Sequence, residues 1–95
     1  MKAYNKPVST IDVGLYSSRV LTARLTALPN RDHVVRTEKR RRFYIVFVNE
    51  VPHSAVEIET GKIFKVRKDR AQATALHFPR GSIWDTEMTI PPDGF

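Results

Sequence analysis

The sequence predicts a small α+β fold dominated by β structure: an antiparallel sheet or open barrel of four to six strands, with one or two short helices. Three stretches carry this expectation. Phe43-Tyr44-Ile45-Val46-Phe47-Val48 is an unbroken run of strand-favouring residues. Apolar and charged residues alternate on both sides of Gly61. Asp69–Phe78 is rich in alanine and stops at Pro79-Arg80-Gly81.

The elements follow in chain order. Residues 1–8 carry little pattern and predict a loose start. Ile11, Val13 and Leu15 alternate with Asp12, Gly14 and Tyr16, which predicts a strand. Ser17 and Ser18 fit a turn or a helix cap. Over 19–28 two patterns overlap. Leu21, Leu25 and Leu28 have helical spacing before Pro29, whereas Leu21, Ala23, Leu25 and Ala27 alternate with Thr22, Arg24 and Thr26. The threonines tip the expectation to a hairpin that turns at Pro29-Asn30 and returns through Val34-Val35. A helix over 18–28 is the alternative.

Phe43–Val48 is apolar on both faces, so a central strand covered on both sides is expected. Asn49–His53, with Pro52, should break it. Residues 54–67 predict a hairpin with Gly61 in a left-handed bulge. In the expected register Val56 faces Phe64, with Ile58 and Val66 on that side. Glu57, Glu59, Lys65 and Arg67 then share the other. Asp69 and Gln72 fit a capping box for a helix over 69–78. A last strand is expected over 83–90, and a frayed tail over 91–95.

Composition limits the function. The 95 residues suit one domain, 1–95, and 41% of them are apolar, enough for a folded core. There is no cysteine, which excludes a disulfide scaffold, a thiolate metal site and a cysteine nucleophile. No apolar run follows Met1-Lys2, so no signal peptide is expected, and no stretch is long enough to span a bilayer as a helix. These features predict a cytoplasmic protein without membrane partners.

Sixteen Lys and Arg against ten Asp and Glu give a net charge of +6. The positive charge is gathered in two clusters, Arg36/Lys39/Arg40/Arg41/Arg42 and Lys62/Lys65/Arg67/Lys68/Arg70. Such clusters can displace counterions along a phosphate backbone. Phe43 and Tyr44, next to the first cluster, could stack on a base. The residues expected to bind nucleic acid are Arg40, Arg41, Arg42, Lys65, Arg67, Lys68 and Arg70. Tyr44 and the single Trp84 are the expected contacts to a partner. The same residues have a purely structural reading: charges at strand ends block edge pairing, and aromatic residues fill the core.

Catalytic chemistry finds little support. His33, His53 and His77 lie too far apart for a common metal-ligand spacing, and no nucleophile elbow or phosphate-binding glycine loop is present. Asp85 and Glu87 could share a strand face, as an acid and base would, but nothing beside them completes a site. The expectation is a non-catalytic binding module without metal or cofactor that contacts RNA or DNA through phosphates. The alternative is a small accessory or inhibitor protein of mobile-element or phage type, docking on an acidic protein or a ribonucleoprotein complex.

Overall fold

A computed structural model describes residues 12–26, 33–85, 87–91, 94 and 95. The expectations for residues 1–8, Ile11 and the Pro29-Asn30 turn lie outside this set. The described chain forms one helix, α1 (Val13–Thr26), and seven strands: β1 (Val35–Lys39), β2 (Phe43–Val48), β3 (Val51–Glu57), β4 (Lys62–Phe64), β5 (Val66–Arg67), β6 (Gln72–Ala73) and β7 (Gly81–Ser82). Five strands form an antiparallel sheet in the order β1-β2-β3-β4-β7, and β5 and β6 form a separate hairpin.

The first difference from the sequence expectation is α1. Residues 13–16 and 19–26 are helical where strands were expected. Asp12 starts the helix, its Oδ1 accepting the Leu15 N–H at 3.1 Å, as an N-cap residue does. Val13, Ser17, Leu21 and Leu25 are buried at a spacing of four, and Ser17 returns a hydrogen bond to the Val13 carbonyl at 2.7 Å. A strand would have buried Ala23 beside Leu21 and Leu25; Ala23 is exposed. Local alternation suited both structures. Packing of the fourfold-spaced stripe on the sheet selects the helix.

β2 is central, as expected, with β1 on one side and β3 on the other. Val46 belongs to a core with Val13, Leu21, Val56, Ile63, Ile83, Trp84 and Ile90 on the helix side, and the half-buried Tyr44 packs against it. Ile45 and Phe47 join Ala55, Phe64 and Val66 on the opposite side, closed by Phe43, Ala71 and Ala73. The sheet therefore lies between α1 and the β5–β6 hairpin.

The expected break at Asn49–His53 shrinks to Asn49-Glu50. Both residues have positive φ, 53° and 67°, as in the tight turns that suit a hairpin's twist. Pro52 and His53 belong to β3. The pairing shifts there: Phe47 faces Pro52 and Val46 faces Ser54, leaving His53 as the extra residue of a bulge. A bulge is where a strand tolerates proline.

The hairpin around Gly61 is present, with φ +77° at the glycine, but its register differs. Ala55 faces Phe64 and Val56 faces Ile63, and Gly61 N–H bonds to the Glu57 carbonyl at 2.8 Å. The expected register separated apolar from charged faces. Here both faces are covered, so Ala55 and Phe64 can fill one core while Val56 and Ile63 fill the other.

The helix expected over 69–78 does not form. Asp69 does not cap; its carboxylate holds the Arg67 guanidinium at 3.1–3.2 Å. Ala71 and Ala75 have φ of 48° and 50°, which interrupts any helix. Ala71 and Ala73 instead pack on the sheet. Among the described residues of 83–90 the expected strand does not form either. Ile83 and Trp84 lie in a turn after β7, and Asp85 Oδ1 accepts the Glu87 N–H at 2.9 Å. Arg24 of α1 fastens this segment, donating to the Met88 carbonyl and, at 3.1 Å, to the Asp85 carbonyl. Where fraying was expected, Pro91 O and the Phe95 ring contact His53, at 2.7 Å and 5.7 Å respectively.

Candidate nucleic-acid interface

Each basic cluster places part of its charge on a hairpin tip. Lys39 pairs with Tyr44, and Arg40 N–H bonds to the Phe43 carbonyl at 2.7 Å, so Arg41 and Arg42 form the tip of the β1–β2 hairpin. Val66 pairs with Ala73 and Arg67 with Gln72, which puts Lys68 and Arg70 in the β5–β6 turn. The β5–β6 hairpin lies over the Phe43 side of the sheet, and this brings the tips together.

Arg40 and Arg70 line one recess of about 320 Å³ with Phe43, Ile45, Ala71, Gln72 and Ala73. An adjoining recess of about 220 Å³ is lined by Arg40, Arg41, Arg42, Phe43, Gln72, Ala73 and Leu76. Phe43 lies at the junction. Its ring meets Phe64 edge to face at 5.7 Å and 85°, and the Arg42 guanidinium lies 5.5 Å from its centre.

The expected site is thus brought together in part. Arg40, Arg41, Arg42 and Arg70 share a surface. Lys65 and Lys68 open onto a different recess of about 270 Å³, beside His53, Val66, Gly94 and Phe95. Arg67 is engaged by Asp69.

Several cations already have carboxylate partners. Arg36 lies between Glu38 and Glu50, at 3.0 and 2.9 Å, and over the Phe47 ring. Arg40 meets Glu38 at 2.6 Å, and Arg42 meets Glu57 at 3.1 Å. The Arg36 guanidinium holds Glu38 and Glu50 below the usual carboxylate range, and Arg67 does the same for Asp69. Solvent screens these pairs, least at Glu57, whose side chain is 17% exposed. Among the described residues, no carboxylate forms an ion pair with Arg41, Lys65, Lys68 or Arg70. Their charge is available to an external anion.

Of the two expected partner contacts, Trp84 is buried and Tyr44 is half-buried. Trp84 is only 8% exposed. Its Nε1 donates to the Thr60 carbonyl at 3.0 Å, and its ring stacks on Tyr16 at 4.9 Å. Tyr44 faces α1, its ring against Gly14 and its hydroxyl near the Asp12 carboxylate. Burial and that neighbouring charge raise the Tyr44 pKa. In strand alternation Phe43 and Tyr44 point to opposite faces, and only the placement of α1 shows which one meets the basic tips.

Comparison with protein-family models, curated proteins and solved structures finds no match for this chain.

His53 Nε2 donates to the Pro91 carbonyl at 2.7 Å, and its Nδ1 lies 3.0 Å from Ser54 Oγ. Ser54 is completely buried, so its hydroxyl is closed to a substrate in this conformation. His33 is buried with both ring nitrogens unbonded. Among the described residues, no group of three or more His, Asp or Glu is placed to hold a metal, and no helix is long and apolar enough to cross a membrane.

Gln72, Ala73 and Leu76 were missed as site residues, because the expected helix placed them on an isolated element. Their sequence signal was local to a capping pattern, while their role depends on a hairpin folding across the sheet.

Proposed function

We propose that this protein is a small, non-catalytic cytoplasmic module that binds RNA or DNA through phosphates. Arg41 and Arg70 are the leading contacts. Arg40 and Arg42 support them, and Lys65 and Lys68 extend the positive field. The observation that carries this reading is the convergence of Arg41 and Arg70, both free of carboxylate partners among the described residues, on adjoining recesses that share Arg40 and Phe43. Net charge +6 adds long-range attraction for a polyanion.

The test is a binding titration of labelled nucleic acid at several salt concentrations. Contact with about five phosphates predicts log K falling against log salt with a slope of about −4.5 on duplex. Affinity no tighter than roughly 10⁻⁴ M at physiological salt would reject the proposal.

A second reading is docking on an acidic protein or a ribonucleoprotein, as an accessory or inhibitor protein would. It is favoured by Leu76 and Phe78, which are 45% and 69% exposed and could anchor a protein contact. A stoichiometric protein partner that survives nuclease treatment would support it.

A further inference from the structure

We propose that the recess over Phe43 seats an unpaired base, so that the ligand of this surface is single-stranded nucleic acid. The inference rests on the nucleic-acid reading above and narrows its ligand class.

Phosphate contact alone needs charge on an accessible surface. A duplex keeps its bases stacked inside and offers its backbone to such a surface. Here the charges surround something a backbone does not use. Arg40 and Arg41 on one hairpin and Arg70 on the other border recesses with an apolar lining of Phe43, Ala73 and Leu76. Leaving that lining in water has no benefit, whereas a base laid on it buries apolar surface and gains aromatic stacking. The Phe43 ring already meets Phe64 in a T-shaped contact and has the Arg42 guanidinium 5.5 Å from its centre, so little side-chain freedom would be lost on stacking.

Gln72 adds a polar group to the same lining. It is exposed, and among the described residues its side-chain amide has no hydrogen-bond partner in the protein. An amide offers both donor and acceptor, which suits the polar edge of a base. A strand crossing from Arg41 to Arg70 would bring successive phosphates to the two free guanidinium groups while its base meets Phe43.

The experiment compares three labelled ligands of equal length: an oligothymidine strand, an abasic strand with the same phosphates, and a duplex. The base-bearing strand should bind about 5- to 150-fold tighter than the abasic strand, the range for one stacked base. Phe43→Ala should abolish that difference, and Phe43→Tyr should retain it. Because Phe43→Ala also opens a hole beside Phe64, Gln72→Ala and Leu76→Ala provide a second route. They should reduce the preference for the base-bearing strand without lowering the melting temperature. Equal binding of base-bearing and abasic strands would overturn the base seat while leaving the phosphate reading intact. A preference untouched by Gln72→Ala, Leu76→Ala and every folded Phe43 variant would also overturn it. Failure of all three ligands to bind would reject both proposals.

Discussion

Gly61 and Trp84 fix each other's position. A Cβ on Gly61 would stand 2.2 Å from Trp84 Nε1 and 2.8 Å from Ile83 Cγ2. Ile83 N–H donates to the Gly61 carbonyl at 2.8 Å, while the indole donates to the neighbouring Thr60 carbonyl. The β3–β4 turn thus holds the segment after β7, and glycine is required twice, for φ and for space.

Replacing Gly61 should therefore cost more than backbone strain alone. Left-handed strain contributes about 1 kcal/mol, and displacing a packed indole about as much again. Gly61→Ala should destabilise by about 2 kcal/mol, with Gly61→Val worse. Thermal denaturation followed by circular dichroism checks this, with an expected fall of about 10 °C. An unchanged melting temperature would contradict the close packing.

Asp12 caps α1, its carboxylate accepting the Leu15 N–H. The Leu15 N–H is the largest cause of its lowered pKa. Since the folded-state pKa lies below the unfolded one, this contribution to stability is present above about pH 4 and is lost as pH falls through the folded value. Asp12→Ala should cost about 1 kcal/mol at neutral pH. The gap from wild type should narrow progressively in acid. Urea melts at pH 7 and pH 3 would show it.

Arg24 joins α1 to the Asp85–Met88 segment through two carbonyls. Arg24→Met keeps much of the apolar stem but removes both bonds, and should cost about 1–2 kcal/mol. Hydrogen exchange should rise selectively over 83–90. A uniform change across the chain would mean that Arg24 acts on global stability rather than as a local fastener.

Charge reversal can divide the basic residues. Arg41→Glu with Arg70→Glu should weaken nucleic-acid binding for every sequence and reduce the salt slope by about 2, one phosphate each. Lys65→Glu with Lys68→Glu, on the separate recess, should have the smaller effect at equal net charge. If the two double variants behave alike, net charge is responsible and the shared recess is not.

The sequence alone determined what local chemistry can enforce. Phe43–Val48 has no polar face, so it had to be central. Gly61 between two apolar strands had to turn with positive φ. The clustered Arg and Lys remained at exposed tips because burying unpaired charge is costly.

The tertiary structure decided where local signals were balanced. Leu21 and Leu25 fit a strand or a helix until a stripe of four-residue spacing met the sheet. The Gly61 hairpin had more than one plausible register until both faces were covered, making Ala55–Phe64 and Val56–Ile63 the pairs that fill two cores. Asp69 suited a helix cap, yet pairs with Arg67 while Ala71 and Ala73 fold onto the sheet. That last choice brings Arg70 to Arg40 across Phe43. It is a non-local contact whose gain comes from packing two apolar faces, which no single segment records.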